Sequence, residues 1–196
     1  MSDGNVRSRS VMTVLGVCAL FLSAQSAFGQ TRPVLSAVFE SHVVIQITTG
    51  TGADAQTVEG VGEMTFDQPA GHAREFYAFE DGPPTERITR YDLGKIFTKN
   101  PPACDVEDVT GTMAPFFEWV ANAKIGTSDQ VTGTTWVSTG TPPHPTLTLL
   151  ATNDGTIPLY YQEATAERTV RIIFLTYQTT FKQKPNLFKP PSQCLQ

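Results

Sequence analysis

An all-β fold, two stacked antiparallel sheets forming a half-open, barrel-like sandwich with one short helix, is what the sequence predicts. Three observations lead there. Apolar and polar residues alternate along most of the chain, turn residues interrupt the alternation every eight to twelve positions, and a single short segment has helical spacing. The composition agrees: 40% hydrophobic and 17% charged residues among 196 is too apolar for a disordered chain and too poor in charge for a coiled coil.

The first segment reads as an address. Arg7 and Arg9 precede the uncharged run Val11–Leu22, and Ala27-Phe28-Gly29 places small residues where a signal peptidase reads. The expectation is a secretory signal over residues 1–29 and one domain over 30–196. A membrane anchor is the alternative, but the twelve-residue apolar run falls short of the roughly 20 residues that span a bilayer. Without Asp3, Arg7 and Arg9, the 19 acidic and 14 basic residues become 18 and 12, a net charge of −6. An acidic chain with no basic block is a poor candidate for nucleic-acid binding, because phosphate binding needs clustered Lys and Arg, and no nucleic-acid partner is expected.

The elements follow in order. Phe39, Val43, Ile45 and Ile47 share one face of a first strand, and Gly50–Ala55 is a hairpin loop. Val58, Met64 and Phe66 share a face of the next, where Gly60 and Gly62 predict a bulge or a close backbone approach. Asp67–Gly71 turns the chain, and Ala73–Glu80 alternates so that Tyr77 and Phe79 lie together. Arg87–Leu93 and Lys95–Lys99 read as two short strands, or one kinked at Gly94. Ala114–Ala123 is the helical candidate, with Pro115 in its first turn and Phe116, Trp119 and Val120 three and four apart. Strands are then expected at Lys124–Thr127, Val131–Ser138, Leu147–Thr152, Ile157–Gln162 and Thr169–Thr180, with Asn153-Asp154-Gly155 as a hairpin turn. The last run is apolar on both faces, which predicts a central strand covered on both sides.

Catalytic motifs are absent: no G-x-S-x-G, phosphate loop, G-x-G-x-x-G or H-E-x-x-H occurs. His42, His72 and His144 are scattered, and no enzyme is expected. The acidic run Asp105-Val106-Glu107-Asp108 offers hard oxygen ligands of the kind calcium takes, without the spacing of a calcium loop, and otherwise reads as solvated surface. No metal site is assigned. Cys104 and Cys194 remain once the signal leaves, an even number in an oxidising compartment. One disulfide is the simplest reading, with free thiols or intermolecular bridges as alternatives. The chain has no N-x-S/T sequon.

At the C-terminus, Phe174 and Tyr177 precede Pro185-Asn186-Leu187-Phe188-Lys189-Pro190-Pro191-Ser192-Gln193-Cys194. This segment resembles the closing motif of the ependymin-related family. Phe39-Glu40-Ser41, Phe66-Asp67 through Arg74, Phe76–Gly82, Thr98-Lys99 before Cys104, and Trp136 are similar to further parts of its pattern, so that the resemblance spans residues 39–194. Two further cysteines common in the family, near the first strand and before Pro158-Leu159-Tyr160, are missing here. The resemblance implies a Cys104–Cys194 bridge, a secreted homodimer of two antiparallel sheets around a deep hydrophobic pocket, lipid binding and calcium sensitivity.

The expected function is a secreted, non-enzymatic carrier of fatty acids or other lipids, with Phe39, Tyr77, Phe79, Trp119, Trp136 and Phe174 lining the pocket because they fall on apolar strand faces or on the helix. The alternative is an extracellular calcium-responsive adhesion or matrix protein. A histidine-dependent esterase stands third. Localisation follows the signal: the secretory pathway, ending outside the cell or in a lysosomal lumen.

Overall fold

Hydrogen bonding runs without a break across eleven antiparallel strands in the computed structural model, which describes residues 32–126, 133–180 and 186–195. The expected signal, 1–29, lies outside the described residues, as do Thr127, Val131 and Thr132. The strands are β1 (Val38–Thr49), β2 (Gln56–Asp67), β3 (His72–Phe79), β4 (Thr85–Arg90), β5 (Lys95–Asn100), β6 (Ala103–Asp108), β7 (Lys124–Ile125), β8 (Gly133–Ser138), β9 (Thr146–Thr152), β10 (Pro158–Ala164) and β11 (Arg168–Phe174). Their order in space is β6-β5-β4-β3-β2-β1-β11-β10-β9-β8-β7. The fold is all-β, as predicted, in the half-open form: the two halves of the expected sandwich are one continuous, unclosed sheet, joined where β1 pairs with β11.

The alternation read from the sequence decides which face is buried. Phe39, Ser41, Val43 and Ile45 of β1 point to one side and are buried, whereas His42 between them is exposed. Register carries that face across the sheet. Phe79, Gly60, Ile45, Ile172, Tyr161, Leu149 and Trp136 form a row through β3, β2, β1, β11, β10, β9 and β8. The sheet curls around this face: the Phe116 ring lies 5.1 Å from Phe66 on β2 and 5.3 Å from Tyr161 on β10. Those strands are three spacings, about 14 Å, apart in a flat sheet.

Residues 113–123 cover the concave face. The expected helix is a short 3₁₀ turn, Glu118–Asn122, following Pro115, whose carbonyl accepts from Glu118. Side chains clamp both ends: Gln68 Nε2 donates to the Met113 carbonyl at 2.8 Å, and Arg32 Nη1 donates to the Val120 and Ala123 carbonyls at 2.9 Å each. Phe116 and Phe117 thereby reach down into the sheet, where Phe39 is fully buried against Phe66, Phe116, Phe117 and Tyr177.

One further expectation needs correction. The run Thr169–Thr180 is not one regular strand covered on both sides. β11 ends at Phe174, and the amides of Leu175 and Thr176 both donate to the His42 carbonyl, a bulge, before Gln178 resumes pairing with Glu40. The extra residue reverses the faces. Leu175 is 61% exposed on the convex side, while Tyr177 joins Phe39 and Phe174 on the concave side. The acidic run after Cys104 is exposed, as expected, and forms an edge strand, β6, paired with β5; charge at a sheet edge discourages pairing with another molecule.

The C-terminal segment 186–195 crosses the convex side of β3–β6. Arg90 Nη1 donates to the Phe188 carbonyl at 3.0 Å, the Phe188 ring lies 5.2 Å from His72, and Cys194 is bonded to Cys104. That strap buries Phe188 on a face where Ile88 and Phe97 are also buried.

Candidate functional site

Between the cover and the concave face lies a cavity of about 460 Å³. Ile45, Phe66, Ala73, Val170 and Ile172 form its floor; Met113, Ala114 and Phe116 form its roof. Thr89, Tyr91 and Ile96 close it toward β4 and β5, and Tyr161 and Glu163 close it toward β10.

The polar wall comes from one stretch of β3 and β4. Glu75 and Tyr77 alternate with Arg74 and Phe76, so they share the concave face, and Glu75 is the direct cross-strand partner of Arg87. Tyr77 Oη donates to Glu75 Oε1 at 3.2 Å. Glu75 Oε2 lies 4.0 Å from Arg87 Nη1, a charge contact without a hydrogen bond. Only 17% of the Glu75 side chain is exposed, and burial pushes its carboxyl above the ordinary carboxylate range, against the opposing pull of Arg87 and of the Tyr77 hydroxyl. Burial and then the Glu75 charge hold the Tyr77 phenol strongly in its protonated form. Burial, with Glu163 beside it, does the same for Tyr161.

Glycines make room for this wall. Gly62 is the cross-strand partner of Tyr77 and Gly60 of Phe79. A Cβ on Gly62 would stand 2.6 Å from Tyr77 Cδ1, and one on Gly60 would stand 2.8 Å from Phe79 Cδ1. The pairing is in register throughout, so the glycines mark the close approach and not a bulge.

Of the six aromatics predicted to line a pocket, Tyr77 lines this cavity. Phe79 borders a neighbouring depression of about 450 Å³ with Ile47, Val58 and Pro83. Phe39, Trp136 and Phe174 are packed into the core, and Trp119 lies against it, 6.1 Å from the Tyr161 ring. The Trp119 indole N–H is buried without an acceptor among the described residues. Sequence reasoning passed over Glu75, Arg87, Tyr161 and Glu163, and placed Phe116 on the helical candidate without assigning it to the pocket. The signal for Glu75 was present: it stands two residues before Tyr77 and four before Phe79, on their face of the strand.

A larger depression of about 580 Å³ lies at the sheet end, between Gly140–Thr146 and Ala164–Glu167. Loop residues and the strand ends Thr146 and Ala164 line it, with no Phe, Tyr or Trp among them, so the concave cavity is the better apolar site. The histidines are dispersed. His42 and His72 lie on the convex side, His72 Nε2 at 3.1 Å from Asp92, and His144 borders the sheet-end depression. Asp92 is itself held by Arg90, which pulls its carboxyl down to about 2. Among the described residues no three His, Cys, Asp or Glu side chains converge as metal ligands. On β6, alternation sends Asp105 and Glu107 to one face and Asp108 to the other, where it pairs with Lys95. No helix among the described residues is long and apolar enough to cross a membrane.

An open antiparallel half-barrel with a roofed apolar cavity is the class that this geometry defines. No protein-family model and no curated protein matches the chain. Among solved structures it is similar to an outer membrane lipoprotein-sorting protein domain from Vibrio parahaemolyticus, at 7% identity and a TM-score of 0.36, over 76% of this chain and 89% of that one. It is also similar to a DUF1329 family protein from Desulfovibrio piger, at 10% identity and a TM-score of 0.38, over 79% and 90% of the two chains.

Proposed function

We propose that the protein is a secreted, non-enzymatic binder or carrier of hydrophobic ligands with an acyl-like chain, held between residues 113–119 and the concave face. The carrying observation is the cavity of about 460 Å³ with an apolar floor and roof and a few polar groups at one wall. Pockets that take small apolar ligands generally have that size and that balance of lining. The resemblance of the C-terminal segment to ependymin-related proteins supports the same reading.

Affinity would come from the chain. Ten methylenes transferred from water at about 0.8 kcal/mol each supply roughly 8 kcal/mol, which corresponds to a dissociation constant near the micromolar range. The roof sets access, because Met113, Ala114 and Phe116 stand over the floor on which a chain would lie. Native mass spectrometry of protein purified from its own secretion should show co-purifying lipid. After delipidation, dodecanol should bind saturably, and Val170→Trp, which fills the floor, should abolish that binding while the circular dichroism stays that of the parent. Absence of saturable uptake by the delipidated parent would refute the role.

A further inference from the structure

The charges inside the cavity narrow the ligand. Apart from tyrosines, three ionisable groups line it: Glu75, Arg87 and Glu163. Tyr77, Tyr91 and Tyr161 are the other titratable side chains that face the same space. Glu75 uses one oxygen to accept from Tyr77, and its second, 4.0 Å from Arg87, accepts no hydrogen bond among the described residues. Glu163 has neither a hydrogen-bond nor an ion-pair partner among them. Arg87 is the single cation, and its side chain is 47% exposed, so water screens much of its charge.

With Glu75 ionised the lining carries a net charge of −1; with Glu75 protonated, Arg87 and Glu163 balance. In neither state is it positive. A free carboxylate entering this space meets two carboxylates and one guanidinium whose charge water screens, whereas an ammonium finds spare carboxylate acceptors at the end of an apolar floor.

We propose that the cavity takes an amphiphile whose head is a protonated amine and discriminates against free fatty acids, with Glu75 as the acceptor for the head group. The proposal rests on the hydrophobic-ligand role above and names the chemistry of its ligand. On binding, the ammonium donates to Glu75 Oε2 while the alkyl chain lies over Val170 and Ile172 beneath Phe116. A neutral head with hydrogen-bond donors is accommodated less well, because it leaves the carboxylate charge unpaired.

The test is calorimetric titration of the full, delipidated chain near neutral pH with dodecylamine, dodecanol and dodecanoate, three ligands with the same chain. Dodecylamine should bind about tenfold tighter than dodecanol, the worth of one charge-assisted hydrogen bond, and dodecanoate most weakly. Glu75→Gln should reduce the ratio of amine to alcohol affinity by about the same factor, and dodecanol should displace the amine competitively. Equal or tighter binding of dodecanoate overturns the proposal, as does an amine-to-alcohol ratio that Glu75→Gln leaves unchanged. Dodecanol binding without preference for the amine overturns the head-group assignment alone, whereas failure of all three ligands overturns the binding role as well.

Discussion

Gly62→Ala tests whether the polar wall depends on a missing side chain in the neighbouring strand. The φ of Gly62 is outside the left-handed region, so backbone strain does not complicate the substitution. An added Cβ would stand 2.5 Å from the Phe76 carbonyl oxygen and 2.6 Å from Tyr77 Cδ1, both below the 3.0 Å at which something must shift. Overpacking of this kind costs roughly 1–3 kcal/mol, and the lower unfolded-state entropy of alanine returns up to about 1. A net loss of about 1–2 kcal/mol lowers the melting temperature by roughly 2–8 °C in a domain of this size. Thermal unfolding followed by circular dichroism measures it. The clash is shared between the backbone and the Tyr77 ring, so the loss should shrink in a Tyr77→Ala background, and the double-mutant cycle should show that coupling. The displaced ring also takes its hydroxyl away from Glu75, which weakens ligand uptake in parallel. A Gly62→Ala protein that melts at or above the parent temperature, or a cycle without coupling, refutes the account of how the wall is built.

Replacing Cys104 and Cys194 together by alanine should destabilise the domain by about 4–5 kcal/mol in the chain-entropy model, because the bridge closes a separation of 90 residues. Urea unfolding of the double variant checks this, and a loss below about 1 kcal/mol would mean that the C-terminal strap holds without the bond. Phe39→Ala should cost about 3–5 kcal/mol, since the ring is fully buried among four others, and against a typical total of 5–15 kcal/mol many molecules should then be unfolded on mild heating. For Glu75 the native carboxyl holds its proton more tightly than the unfolded one, whose ordinary value is 4.5. The native state therefore binds more protons, and stability falls as pH rises from 4.5 through the raised native value. Glu75→Gln should remove that fall and be more stable than the parent at neutral pH, with the difference vanishing in acid. Urea midpoints measured from acid to neutral pH decide it, and a constant offset would mean that the carboxyl is not desolvated in the native state.

Alternation was the part of the fold most readable in the sequence, because a period of two says directly which residues share a face. It placed Phe39, Val43 and Ile45 together, and Tyr77 with Phe79, as the structure does. What it cannot say is which strands are neighbours, so the single sheet through β1 and β11 was not distinguishable from two stacked ones. Parity also fails at a bulge. Tyr177 has the parity of Ile173 and Leu175, yet the doubled bond at the His42 carbonyl sends it to the other side. β6 escaped notice because Cys104-Asp105-Val106-Glu107-Asp108 has the composition of solvated surface, and only its pairing with β5 makes it a strand. The site was partly legible: Gly60 and Gly62 announced a close approach, and aromatic residues announced the apolar face. Its roof was not, since Phe116 meets Phe66 and Tyr161 only after the chain has crossed the concave face.

Glu75 is where folding and the proposed binding role pull apart. A leucine or methionine there would pack against Met64, its cross-strand neighbour, without the desolvation that raises the carboxyl's proton affinity. Arg87 offsets little of that loss, being 4.0 Å away and half exposed, and the Tyr77 hydroxyl satisfies one oxygen only. Packing therefore does not account for a carboxyl at this position. A ligand that donates to the second oxygen does, because it removes the unpaired charge from the same cavity that its chain fills. If so, ligand and stability are linked through one side chain: saturating dodecylamine should raise the melting temperature of the parent by more than it raises that of Glu75→Gln. Equal increments in the two proteins would locate the energetic worth of Glu75 in the fold and not in the ligand.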